Sequence, residues 1–427
     1  MTAGELVQGH APRYFDLPDH SLRAALSTEM HGRKLPAIHA PARLMQVVVQ
    51  IDEQDAAREL ERLRTLFPSI SHTAEKRFHR DMVEDVHLIW ERHTEFSSYM
   101  FILEREFDRP FDADIFDVLP PDWFAQLPGH VLRATQIAVL CYDDPEIVEQ
   151  WFRADDLVHC RALSSKIRFW SDFRLNPDGF GRLLVVNDAA SPGELALALQ
   201  RVQELGNYRN LALLGLPVAQ RLARRINALE LTLAATTQQI AESVQTDAKS
   251  LAELSDLSAE VARIRGESQY RMSATRAYAQ MVDDRLRALQ ATKIDGFESL
   301  TDFTERRLLP AARTCLSFTS RLDTLAQSAA WTSDLLRTRI DTELATQNRD
   351  LLRSMDRRTA LQLRLQRTVE GISVVAITYY ACNLLGYFIR GFERFVHLDH
   401  DLVLSIFLPV VACCVWLGIR SMHNRLR

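Results

Sequence analysis

Several chemistries have no footing in this 427-residue chain. It contains no GxGxxG, Walker A, HExxH or GxSxG string, so no motif supports the common nucleotide-binding and hydrolase readings. Cysteine is sparse: Cys141, Cys160, Cys315, Cys382, Cys413 and Cys414, with no CxxC pair. That spacing builds neither a disulfide framework nor a zinc site, and the thiols read as small hydrophobes. The formal net charge is -5, so there is no basic excess and no nucleic-acid partner is expected. The opening MTAGELVQGH leads into no apolar run. No secretory signal is expected, and the bulk of the chain is assigned to the cytoplasm. No cofactor is expected.

Glycine and proline are absent from 311–367. With nothing to break it, 310–367 is predicted as one helix. It leads into a long apolar run, 369–389. A polar turn, 390–401, separates this from a second apolar run, 402–419. Runs of roughly 20 apolar residues match the thickness of a bilayer, so both are expected to span one. Pro409, inside the second, is tolerable there as a kink. Arg353, Arg357, Arg358, Arg364 and Arg367 precede the pair, and Arg420, Arg425 and Arg427 follow it. The positive-inside rule then puts both flanks in the cytoplasm. The expected location is the bacterial inner membrane, multi-pass, with both termini inside and the lipid bilayer as partner. Thr378, Tyr379, Tyr380, Cys382 and Asn383 form a polar cluster within the first run. Two roles stand open for it. One is hydrogen bonding between helices. The other is a water-filled path in a homo-oligomer, lined by Tyr379, Tyr380 and Asn383, with Asp399 and Asp401 drawing divalent cations to its mouth.

Before residue 190 the pattern is mixed. Strands are predicted at 44–51, 76–82, 85–92, 95–104, 133–140, 158–163, 166–173 and 182–186, from apolar runs or from alternation such as Val86, Leu88, Trp90. Helices are predicted at 21–30, 54–67 and 144–153. Asn176-Pro177-Asp178-Gly179 is a turn signal. The fold class is an α/β or α+β domain over 20–190, behind a flexible arm at 1–19. Ser191 with Glu194 three residues on is a capping box, and from there to 367 nearly everything is helical. Leu222, Ile226, Leu229 and Leu233 recur at helical spacing, as do Leu254, Leu257, Val261 and Ile264. The breakers are Pro217, Gly266, Gly296 and Pro310. A bundle or stalk over 191–367 is expected, folding back near Gly266 or Gly296. Leu335, Leu336, Ile340, Leu344, Leu351, Leu352 and Met355 make an apolar stripe expected to bury against other helices. The membrane hairpin takes 368–420, and 421–427 is a basic tail.

One polar constellation stands out. Glu91, Arg92 and His93 close a predicted strand, His31 and Arg33 follow the first predicted helix, and Asp172 and Arg174 close another strand. If the strands pair suitably, these groups converge at one sheet end. Glu, His and Asp there could bind a ligand or cation, or do acid–base work. The alternative is a salt-bridge network at a strand edge. No spacing here is diagnostic of a metal.

Longer strings resemble one bacterial family. They are Trp90-Glu91-Arg92-His93-Thr94-Glu95-Phe96, Leu127-Pro128-Gly129, Asp172-Phe173-Arg174-Leu175 with Asp178-Gly179-Phe180, and the string LALLGLPV at 211–218. Leu335-Leu336-Arg337-Thr338-Arg339, Gln362-Leu363-Arg364-Leu365-Gln366 and Thr368-Val369-Glu370-Gly371-Ile372-Ser373-Val374 extend the match over about 20–419. The family is one of uncharacterised membrane-anchored proteins, a domain of unknown function ending in two membrane helices. The chain departs from its pattern at His31-Gly32-Arg33-Lys34, where His-Ala-Arg-Pro is closer to it, and at Ala381-Cys382-Asn383, where small apolar residues are usual. The resemblance implies an anchor and no established activity. The layout is also similar to that of CorA-type divalent-cation channels, although their Gly-Met-Asn signature is absent. The expected function is a membrane-anchored, non-enzymatic scaffold or regulator, oligomeric, presenting a cytoplasmic domain. A CorA-like channel is the alternative. An enzyme or ligand site near His93 and Asp172 is the third reading.

Overall fold

The computed structural model of the chain describes residues 19–23, 26–27, 35–67, 70, 77–142, 144–242, 248–392 and 400–425. Half of the helix predicted at 21–30 therefore lies outside the described residues. Nine strands follow in chain order: β1 (Ala42–Gln50), β2 (Phe78–Val83), β3 (Val86–Arg92), β4 (Phe96–Leu103), β5 (His130–Leu140), β6 (Val158–Ala162), β7 (Ile167–Ser171), β8 (Gly181–Asn187) and β9 (Thr292–Lys293). They form one sheet in the order β2-β3-β4-β1-β5-β8-β7-β6-β9. Neighbours are antiparallel except β5 and β8, which run parallel. β1 is buried along almost its whole length, as its run Val47-Val48-Val49 requires of a strand covered on both faces. Gly129 lets β5 start beside β1. Its φ is +102°, and a Cβ there would lie 2.1 Å from the carbonyl oxygen of Gln50.

The helices are α1 (Ala56–Arg64), α2 (Pro145–Trp151), α3 (Pro192–Leu213), α4 (Gly215–Glu242), α5 (Ala248–Leu289), α6 (Leu300–Phe392) and α7 (His400–Arg425). α3 begins on the expected capping box. The Glu194 N–H donates to Ser191 Oγ at 3.4 Å and the Ser191 N–H to Glu194 Oε2 at 2.9 Å. Leu195, Leu199, Val202 and Leu205 of α3 then pack on Leu44, Val48, Ile137 and Val185 of the sheet. The end of α5 and the start of α6 join the same core through Val282, Leu286, Leu300 and Phe303. On the opposite face, Leu60 and Leu63 of α1 cover Met45, Trp90, Tyr99 and Phe101. A smaller cluster under α2 joins Phe152 to Ala138, Leu184 and Val186.

Two compact units result. One holds the residues up to Thr236 together with Glu253–Ala330, and the other holds Thr237–Ala252 and Trp331–Arg427. The expected breakers act unequally. Pro217 offers no N–H to the carbonyl of Leu213, and helix is interrupted at Leu214. Gly296, at φ +88°, lies in the turn between α5 and α6. Gly266 does not turn the chain: α5 runs through it, held by the buried Val261 and Ile264 on its inner face. A single interior glycine costs about 1 kcal/mol, less than that burial supplies. Pro310 likewise lies inside α6, which starts ten residues earlier on Ser299, whose Oγ accepts the Asp302 N–H at 3.0 Å.

In the second unit the apolar stripe is covered only at its start. Leu336 is buried, but Leu335, Leu344, Leu351, Leu352 and Met355 are exposed, and every residue from 341 to 369 is exposed within one copy of the chain. Within one copy of the chain the expected burial against other helices is met only at Leu336. Among the described residues one helix, Leu300–Phe388, contains a stretch long and apolar enough to cross a membrane, where the sequence predicts two. The apolar helix Leu408–Gly418 is shorter.

Candidate functional site

The pleat divides the predicted polar constellation. Successive strand residues point to opposite faces, so Glu91 and Arg92 part company. Arg92 turns toward α1. There the fully buried Glu59 accepts Trp90 Nε1–H at 2.9 Å and the Tyr99 hydroxyl at 2.5 Å, with Arg92 Nη2 3.5 Å away. Burial first, and the Glu59 charge second, hold the Tyr99 phenol well above its usual pKa. This is a structural network in a core. Glu91 and His93 stay on the α3 side, 3.3 Å apart, with the His93 ring stacked on Phe96. Asp172 and Arg174 lie at the same end of the sheet but just past the end of β7, five strands from β3 in the sheet order. Five strand spacings are roughly 24 Å, so the expected convergence does not occur. Asp172 instead accepts the N–H groups of Arg174 at 3.1 Å and Arg153 at 3.4 Å. His31 and Arg33 lie outside the described residues.

Glu91 and His93 open into a cavity of about 290 Å³ between the sheet and helices α3 and α5. Gln46, Ser98, Glu204 and Arg285 contribute its other polar walls, with Tyr208 and Met281 beside them. Gln46 Nε2–H donates to Ser98 Oγ at 2.8 Å, and Gln200 Nε2–H to Glu204 Oε1 at 2.9 Å. Glu204 also pairs with Arg285. Burial works to lower the Arg285 pKa, but the Glu204 carboxylate outweighs it and the net shift is upward. Among the described residues no three His, Cys, Asp or Glu side chains come together as metal ligands. The lining suits hydrogen bonding to a polar ligand.

Arg133 of β5 reaches the same polar layer. Its Nη1 faces three neutral oxygens: Gln46 Oε1 at 2.8 Å, Gln203 Oε1 at 2.5 Å and Asn207 Oδ1 at 2.9 Å. Gly206 of α3 makes the room. A Cβ there would stand 2.7 Å from Arg133 Cζ and Nε and 2.8 Å from Nη2. On its other side Arg133 borders a second cavity of about 250 Å³, lined also by Thr135, Phe173, Arg174, Arg209 and Asn210. Of the predicted site residues, Arg174 lies there, its Nε–H donating to Asp156 Oδ2 at 2.7 Å. The sequence reading misses Arg133, Arg209, Gln203 and Asn207. A signal existed: Gln203, Gly206 and Asn207 stand at i, i+3 and i+4, a polar and small stripe on a helix face otherwise filled by Leu199, Val202 and Leu205.

In the second unit Tyr379 and Asn383 share a hollow of about 550 Å³ with Thr378, Tyr387 and Arg390 of α6 and with Leu408 and Ala412 of α7. Tyr380 does not line it and instead meets Tyr379 edge to face, with centroids 5.7 Å apart. Asp399 lies outside the described residues. Asp401 belongs to α7, and its side chain lies outside the description.

No curated protein matches the chain. Its sequence matches a family pattern over residues 18–426, and the chain belongs to that family, DUF3422, described as a protein of unknown function.

Proposed function

We propose that this protein is a membrane-anchored, non-enzymatic regulator that holds a ligand-binding α/β body in the bacterial cytoplasm as a homo-oligomer. The observation that carries the anchor is the apolar surface of the second unit. Val369, Ile372, Val375, Leu384 and Phe388 of α6 are exposed, as are Ile406, Leu408, Val410, Trp416 and Leu417 of α7. Covering such side chains is worth roughly 1.5–3 kcal/mol each. Soluble monomers rarely leave so much of this surface together in water. A bilayer covers it, and 369–389 and 402–419 are the spans of this reading. Arg364 and Arg367 before them, and Arg420 and Arg425 after them, favour cytoplasmic flanks. The exposed Leu344, Leu351, Leu352 and Met355 favour assembly with further copies.

Alkaline extraction of membranes tests the anchor. The full chain should stay in the pellet, and a chain ending at Gln366 should be released. In a background without native cysteines, a cysteine at Val396 should label from outside and one at Asn424 should not. Release of the full chain by alkali removes the anchor, and reversed labelling overturns the topology. A single-chain mass in detergent removes the oligomer. The CorA-like alternative has less support: Tyr379 and Asn383 share one hollow, but the Arg390 cation lies in it too. Uptake of Mg²⁺ into vesicles carrying the full chain, above empty-vesicle leak, would reverse that ranking.

A further inference from the structure

We propose that the cavity framed by β5, β7, β8 and α3 binds the oxyanion group of a small ligand, a phosphate or a carboxylate, held by the guanidinium groups of Arg133 and Arg209. This inference stands independently of the membrane reading. It rests on how buried charge is compensated in the first unit. Arg43 meets Asp114 at 2.6 Å, Arg92 meets Glu59 at 3.5 Å, and Arg271 meets Glu95. Arg133 and Arg209 line one cavity, and no carboxylate among the described residues pairs with either.

Arg209 is the clearer case. Its guanidinium lies over the rings of Phe173, at 4.8 Å, and Phe303, at 5.5 Å. Its Nη1 is buried with no hydrogen-bond partner among the described residues. A buried charged donor left unmade is costly, and such groups in native proteins call for a missing partner. Arg133 has oxygens around Nη1, but all three are carboxamide oxygens, which orient a charge without neutralising it. Burial pushes the Arg133 pKa down to about 9, with the Arg209 charge adding to the effect. Burial likewise pushes Arg209 to about 10, with Arg307 adding. Both stay cationic at neutral pH, so two like charges face one desolvated space. An oxyanion satisfies both at once, since guanidinium forks match phosphate and carboxylate geometry.

The rim is already neutral. Arg174 is paired with Asp156, and the Arg182 side chain donates to Asn176 Oδ1 and Asp178 Oδ2 and packs over Trp151. The uncompensated charge is thus confined to the inner pair. A volume of about 250 Å³ falls just below the usual range of ligand cavities, which favours a small metabolite over a nucleotide.

The experiment is thermal unfolding of the full chain in detergent, titrated with inorganic phosphate or with citrate at constant ionic strength, with chloride as the reference. The wild-type chain should show a saturable rise in Tm with at least one of the two. A rise with phosphate alone assigns a phosphoryl ligand, and a rise with citrate alone a carboxylate. Arg209→Gln should weaken the response about tenfold or more. Gln203→Glu puts a carboxylate within 2.5 Å of Arg133 Nη1. It should raise Tm in anion-free buffer and blunt the titration, a combination that a purely structural Arg133 would not give. No rise with either anion, a rise equalled by chloride, or an undiminished rise in Arg209→Gln overturns the proposal.

Discussion

Substituting Gly206 by alanine tests whether the Arg133 guanidinium is held where α3 crosses the sheet. In an ordinary helix interior, Gly→Ala is stabilising by about 1 kcal/mol. At Gly206 the new methyl would meet Arg133 Cζ and Nε at 2.7 Å. An arginine tip on the surface would simply swing away. This one is half-buried and held against Gln46, Gln203 and Asn207, so either it leaves those oxygens or α3 lifts from the sheet. Overpacking of this kind costs about 1–3 kcal/mol, and each carboxamide left without its donor adds about 1 kcal/mol. After the helix-propensity gain, the net loss should be about 1–3 kcal/mol. Gly266 is the control. It is also interior to a helix, but nothing lies within 4 Å of its added Cβ. Gly266→Ala should therefore stabilise by about 0.5–1 kcal/mol. Urea unfolding of both variants, with unchanged slopes, reads the two signs directly. If Gly206→Ala is as stabilising as Gly266→Ala, the guanidinium is not held there and the account of this cavity wall fails.

Two further outcomes follow from the charges of the first unit. Glu59→Ala leaves Trp90 Nε1–H, the Tyr99 hydroxyl and Arg92 without their buried acceptor. It should cost about 3–5 kcal/mol in urea unfolding, and a loss under about 1 kcal/mol would mean the network carries little. Acid should destabilise through Asp114 and Glu194. The hydrogen bond from Arg43 holds Asp114 below its ordinary pKa, and the Lys166 ammonium, then the Ser191 N–H, hold Glu194 at about 2. Both folded values lie below the unfolded ones, so their contribution is present above about pH 5 and is lost as pH falls toward 2. Tm measured across that window should fall, and Asp114→Asn should flatten the slope. A wild-type profile no steeper than the variant's would refute the assignment.

The choice of carboxamides around Arg133 separates a structural cation from a binding one. Gln203 and Glu are nearly isosteric, and a glutamate at 203 would neutralise Arg133 in place. A buried cation kept for stability gains from that exchange, because breaking or withholding a partner is what makes buried charge expensive. A cation kept for an anionic ligand loses by it, because the site's own carboxylate would compete. Gln46, Gln203 and Asn207 fix the guanidinium's direction and leave its charge available. The unpartnered Nη1 of Arg209 follows the same logic with aromatic faces in place of carboxamides.

What could be read from the chain beforehand was the part that depends on near neighbours. The run Val47-Val48-Val49 gave β1 because β-branching and continuous apolarity act within the strand itself. Ser191 with Glu194 gave the start of α3 because a capping box is closed within four residues. Alternation also held the information that Glu91 and Arg92 must diverge, one into a cavity and one into the α1 core. Grouping by adjacency along the chain ignores that divergence. Gly266 and Gly296 look alike as letters, and only packing decides between them: Val261 and Ile264 have a core to enter, while the turn around Gly296 needs positive φ. The arginine pair was beyond such reasoning for a different reason. Charge compensation is a property of space, not of spacing. Arg133 and Arg209 are separated along the chain by α2, three strands and most of α3, and each looks like an ordinary surface cation in its own segment. Their lack of a carboxylate became a statement only once β5 and α3 were packed face to face. The fold class follows from local rules that agree with one another. The site candidate is where one of them, that buried charge is paired, is left unmet by the chain alone.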